Sequence, residues 1–111
     1  MRSFLSEPDT RYSVEAEPVW NTVQRVTDNR FRAIRFHQKA ERLSTSRVIR
    51  MLQQNLIDML KQLRKRKEAS SEDKEFIDGI VELVEFVDVA NPEQVASVYA
   101  LMRVRERRYA H

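Results

Sequence analysis

The sequence predicts an all-α fold, a compact antiparallel bundle of three to five helices, and three observations carry that expectation. One glycine, Gly79, and three prolines, Pro8, Pro18 and Pro92, are spread over 111 residues, a composition that favours long helices with few turns. Beyond residue 18 the apolar residues recur largely at spacings of three and four, the period of a helix with one buried stripe. Helix-capping residues interrupt that periodicity around residues 44–46, 70–73 and 91–94. The connections are therefore short, and short connections make neighbouring helices antiparallel. A chain of this length supplies one core.

Residues 1–16 show no sustained periodicity and contain Pro8, so an N-terminal arm is expected there and a single helical-bundle domain over residues 17–111. Phe4, Leu5, Tyr12 and Val14 give the arm apolar groups able to dock on a neighbour. Pro18 sets the start of a first helix, since proline fits a first turn and needs no amide donor there, with Glu17 near the positive end of the dipole. One helix running to Leu43 is expected, although Thr27, Asp28 and Asn29 prefer caps and leave a break near Asp28 open. Its apolar positions are Val19, Val23 and Val26, then Ala33, Phe36, Ala40 and Leu43, with Arg30, Arg32, Arg35, Lys39 and Arg42 on the remaining surface.

The second helix has the plainest pattern. Ile49, Leu52, Leu56, Met59 and Leu63 alternate at three and four, widened by Val48, Ile57 and Leu60. The stripe lasts about two heptads, short of the ~3–4 that argue a coiled coil, and so belongs to a bundle core. It ends in Lys61, Arg64, Lys65, Arg66 and Lys67, which suit the negative end of a helix dipole. Ser70 with Asp73 forms a capping-box pattern opening a third helix, with Phe76, Ile77, Ile80, Val84 and Val87 as its stripe and Glu75, Asp78, Glu82 and Glu85 on another face. The valine-rich run VELVEFVDV also suits a strand; its spacing and the lack of any partner strand decide for helix. Asn91, Pro92 and Gln94 combine a cap, a first-turn proline and a box residue, opening a fourth helix with Val95, Val98, Met102 and Tyr109 inward.

Several function classes lose support on inventory. Without cysteine there is no disulfide or thiolate metal site, which fits a reducing compartment, and a cytoplasmic location is expected. No apolar run approaches the ~20 residues of a membrane span, and MRSFLSEPDT lacks the apolar region of an export signal. The only histidines are His37 and His111, and the sequence holds no HExxH, cysteine cluster or glycine-rich phosphate loop. His37 sits in a basic helix with no orienting partner visible, the pattern of a surface or boundary residue. The carboxylates of the third helix have the spacing of a solvated or ion-paired face more than of a cation site. No catalytic residue, metal or cofactor is expected.

The net charge of +3 conceals a segregation: residues 19–67 hold thirteen basic and three acidic residues, and residues 68–93 one basic and nine acidic. Two physical explanations are open. Either the two blocks attract one another inside the fold, or a basic surface meets phosphates while an acidic one meets a basic partner. Arginine and lysine on rigid helices neutralise several phosphates together without reading bases, and arginine adds bidentate contact. The candidate nucleic-acid-binding residues are Arg30, Arg35, Lys39, Arg42, Arg47, Arg50, Lys61, Arg64 and Lys65. The alternative is a protein interaction adaptor or small chaperone-like bundle that also binds copies of itself.

One stretch bears on that choice. Leu43-Ser44-Thr45-Ser46, followed by a basic residue, two aliphatics and an amphipathic helix, resembles a signature of the small helical subunit of type III CRISPR-Cas effector complexes. The stretch DKEFIDGIVELVEFVDVANPEQVASVY is similar in rhythm to the next two helices of that family, and the match spans residues 43–99. The resemblance implies a non-enzymatic subunit of an RNA-guided antiviral defence complex, stacked beside other protein subunits and touching the guide-target duplex through basic residues. By position, Arg47 and Arg50 become the first phosphate-facing candidates. The family's arginine after the aliphatic position falls on Ile49 here, with Arg50 one place later, a turn of about 100° around a helix. Residues 44–46 also serve as a plain helix cap. The expected partners are thus RNA or another nucleic acid through its phosphates and other protein subunits, with no membrane.

Overall fold

In a computed structural model of the chain, which describes residues 18–40, 45–86, 88–89 and 91–109, four helices follow one another. They are α1 (Val19–Ala40), α2 (Thr45–Arg64), α3 (Ser71–Phe86) and α4 (Pro92–Tyr109). Cross-helix contacts set their register. Arg30, ten residues before the end of α1, reaches Asn55, ten residues after the start of α2. Arg64 and Lys61 of α2 meet Asp78 and Glu85 of α3, and Asp73 and Gly79 of α3 meet Arg105 and Leu101 of α4. Trp20 and Asp28 of α1 meet Arg105 and Tyr99 of α4. In the last three sets, later residues of one helix face earlier residues of the other, which leaves α1 antiparallel to α2 as well, so the chain is an up-down-up-down bundle.

The core is built from one stripe per helix. Trp20, Val23, Phe31 and Ile34 of α1 meet Leu56, Leu60 and Leu63 of α2, Ile77, Ile80 and Val84 of α3, and Val98 and Met102 of α4. Trp20 packs edge-on against Phe76 with ring centres 6.0 Å apart, and Phe31 does the same with Tyr99 at 5.7 Å, the geometry that aromatic quadrupoles favour. The α2 stripe matches its sequence pattern, with Ile49, Leu52 and Met59 packed at the edge of the core.

In α1 the expected stripe needs correction. Phe36 is 70% exposed, while Trp20, Phe31 and Ile34 are buried. Two residues beyond Ile34 a helix has turned by about 200°, so Phe36 points away from the core that Ile34 enters. Ala33 and Ala40 lent Phe36 a helical spacing, but the stripe keeps the phase of Val23, Thr27 and Ile34. Nor does α1 break at Asp28. Thr27 is fully buried, and the Asp28 carboxylate accepts from Tyr99 at 2.7 Å and pairs with Arg32 at 2.9 Å. These cap-preferring side chains serve tertiary contacts instead. Leu43, Val87 and the side chains of Ala40 and Tyr109, also expected inward, lie outside the described residues.

The caps follow the sequence closely. The Ser70 amide donates to Asp73 Oδ2 at 3.1 Å and the Asp73 amide donates to Ser70 Oγ at 3.0 Å, a complete capping box. At α4 the Glu93 amide donates to Asn91 Oδ1 at 2.9 Å. Gln94 departs from its expected box role, since its carbonyl oxygen accepts from the Asp88 amide in the α3–α4 connection.

Asp73 has a second task. Its Oδ1 accepts from Arg105 Nη2 at 2.7 Å and Nε at 3.2 Å, with Arg105 only 2% and Asp73 only 5% exposed. Glu72 lies 3.5 Å from Arg105 Nη1, and the guanidinium carbon sits 5.7 Å from the centre of the Trp20 ring. One buried arginine thereby ties α4 to the start of α3 and to α1.

Gly79 lies in mid-helix, where alanine is favoured by ~0.5–1 kcal/mol. An added Cβ would stand 3.1 Å from Leu101 Cδ2, the free end of a half-buried side chain. Gly79→Ala is expected to stabilise by up to about 0.5 kcal/mol, because that methyl yields by a small rotation. A thermal melt checks this; a fall in Tm would mean that the α3–α4 spacing is fixed by more than Leu101.

Candidate nucleic-acid interface

The bundle divides the predicted basic residues into two groups. Arg30 is half-buried and spent on α2, its Nε donating to Asn55 Oδ1 at 2.7 Å and its Nη2 lying 3.0 Å from Met59 Sδ. Lys61 pairs with Glu85 at 3.8 Å. Arg64 forms a two-pronged pair with Asp78, at 2.6 and 3.1 Å, whose hydrogen bonds and charge push the guanidinium pKa further up. These three hold helices together.

Arg35, Lys39, Arg47, Arg50 and Lys65 form the second group. All five are exposed, and no ion pair joins them to another described residue. Arg42 lies outside the described residues. The acidic third helix therefore engages only one edge of the basic block. Arg47 and Arg50, one turn apart on α2, both face solvent, whereas Ile49 packs against the core. Arginine at position 49 would point inward, and position 50 is the one that projects.

Further arginines extend this surface. Arg25, Arg32 and Lys39 recur every seven residues on the solvent side of α1, and Arg103 and Arg107 are exposed on α4. The seven-residue spacing in the sequence was the signal for Arg25 and Arg32, once the buried phase of Trp20 and Ile34 is known. Arg32 is tied to Asp28. On α2 the exposed face is interrupted midway, where Gln54 donates to Asp58 at 3.0 Å, so Arg47 and Arg50 form one cluster and Lys65 stands at the far end.

Two open clefts flank these helices. Between α2 and α3 a cleft of about 500 Å³ is lined by Arg50, Gln53, Gln54, Ile57, Glu85 and Phe86. Between α1 and α4 a second, of about 410 Å³, mixes Arg25 and Arg103 with Asp28 and Glu106 around Tyr99. The Tyr99 phenol is pushed up to about 12 by burial, then by donation to Asp28 and that carboxylate's charge, against the pull of Arg35 and Arg32. Since this pKa is higher folded than unfolded, the associated stability is complete below about pH 10 and is lost as pH rises towards 12. An ultraviolet titration should show Tyr99 ionising later than the same tyrosine in a denatured chain, and Asp28→Asn should bring it part of the way back down, since burial, the largest cause, remains.

His37 is half-buried with its ring edge-on to Phe36 at 5.6 Å. Among the described residues there is no group of three or more metal-ligating side chains, and no helix is long and apolar enough to cross a membrane. No family model matches the chain, and neither the curated proteins nor the solved structures compared with it include a match.

Proposed function

We propose that this chain is a non-enzymatic helical subunit that binds the phosphate backbone of nucleic acid, RNA foremost, within a larger ribonucleoprotein assembly. One observation supports this above all: Arg35, Lys39, Arg47, Arg50 and Lys65 remain exposed and without an ion pair among the described residues, although an acidic helix in the same bundle takes Lys61 and Arg64. Guanidinium groups projecting from rigid helices meet phosphate with little loss of freedom and with two-pronged geometry. The resemblance of residues 43–99 to a type III CRISPR small subunit favours RNA and an effector complex as the setting. Contacts made through phosphates carry no base information, so binding is electrostatic and indifferent to sequence.

The test is a fluorescence-anisotropy titration of the intact protein with single-stranded RNA, duplex RNA and duplex DNA, each in two unrelated sequences. Binding that favours RNA, and that differs little between the two sequences, is expected. Absence of binding at low salt, or strong discrimination between sequences, would overturn the proposal. A second function, as a protein adaptor, draws support from a different feature: Phe36, Met51 and Phe86 are large apolar side chains exposed by 61–79%, and exposed apolar groups gathered into one patch mark interaction sites.

A further inference from the structure

The three exposed apolar side chains share one end of the bundle. Phe36 lies in the last turns of α1, Met51 in the first half of α2 and Phe86 at the last residue of α3. With Arg30 opposite Asn55, the antiparallel register brings Phe36 level with the turn of α2 that holds Met51. Phe86 borders the cleft on the other flank of α2, beside Arg50. The crest between these flanks carries Arg47 and Arg50, both exposed. Aromatic, methionine and arginine side chains are the types that protein interfaces concentrate, and here an apolar pair and a lone aromatic bracket two cations.

We propose that this surface is the docking site of the chain's own N-terminal segment, with Phe4 and Leu5 covering the apolar groups and Glu7 and Asp9 meeting Arg47 and Arg50. Charge complementarity favours this occupant: residues 1–17 hold four carboxylates and two arginines, against a surface carrying Lys39, Arg47 and Arg50. Spacing agrees. Two residues apart on an extended segment is ~6.6 Å, close to the ~5–6 Å between Cβ atoms three apart on a helix, and Pro8 favours an extended backbone at the residue before it. Length agrees as well. Glu7 precedes Pro18 by eleven residues, a reach of up to ~36–40 Å, whereas Pro18 to the level of Phe36 is about 27 Å along α1. The segment needs no nucleic acid for this contact and competes with phosphate for Arg47 and Arg50, so it lowers RNA affinity without replacing the phosphate-binding surface.

The experiment compares amide spectra of the full-length, isotope-labelled protein with those of a Phe4→Ser, Leu5→Ser variant. The near-ultraviolet signal of Trp20, a core residue, checks that the bundle stays folded in the variant. Shifts at Phe36, Arg47, Arg50, Met51 and Phe86 that persist on dilution are expected, together with changes at residues 4–9 in the converse Phe36→Ser variant. Shifts confined to the substituted segment overturn the proposal. Perturbations at the bundle that vanish on dilution also overturn it, and assign the surface to a second copy of the chain.

Discussion

Asp73→Ala is expected to cost about 3–5 kcal/mol of folding stability, the range found when one partner of a buried ion pair is removed. Two losses combine. The α3 capping box loses the carboxylate that accepts from the Ser70 amide, and Arg105, 2% exposed, loses its main counter-charge. Glu72 remains 3.5 Å from Arg105 but is itself half-solvated, so it offsets only part of the deficit. Against a total of about 5–15 kcal/mol for a small domain, the loss leaves little margin. Removing both charges in Asp73→Ala, Arg105→Met is expected to be milder than Asp73→Ala alone, because no uncompensated charge stays buried. Denaturant titrations monitored by Trp20, the one tryptophan and a core residue, measure both variants. A cost below about 1 kcal/mol for Asp73→Ala would show that water reaches Arg105 freely.

The second large effect concerns binding. Arg47→Glu with Arg50→Glu is expected to weaken RNA affinity roughly 100-fold, the loss of two charged hydrogen bonds at about 1.5 kcal/mol each. Both side chains are exposed, so stability should change by less than about 0.5 kcal/mol. Arg64→Glu supplies the contrast. It breaks the pair with Asp78 and sets two carboxylates against each other, lowering the melting temperature while leaving affinity close to that of the parent. A loss in Arg64→Glu about half as large on a free-energy scale, in proportion to its single charge reversal, would mean that total charge alone matters, with no privileged face.

Much of the fold was legible because it rests on local signals. Ser70 and Asp73, three residues apart, announce the start of α3, and the box forms as its chemistry requires. The α2 stripe has the same phase from Ile49 to Leu63 in sequence and in space. What stayed hidden depends on partners distant in the chain. Nothing near Arg105 marks it as buried, since its partners Asp73 and Trp20 lie 32 and 85 residues earlier. Phe36 and Phe31 are the same residue type on one helix, and the phase of Val23, Thr27 and Ile34, with Tyr99 of α4 packed on Phe31, sets which of them is inside. The basic block posed the same difficulty: composition does not distinguish Arg64, which meets Asp78, from Arg50, which meets solvent.

The most direct test of the phosphate-binding account is the salt dependence of RNA affinity. Each phosphate contact contributes about 0.7 to the slope of log K against log salt on a single strand. Engagement of three to five of the exposed residues Arg35, Lys39, Arg47, Arg50 and Lys65 predicts a slope of roughly −2 to −3.5. A slope near zero, with binding retained at high salt, would contradict it.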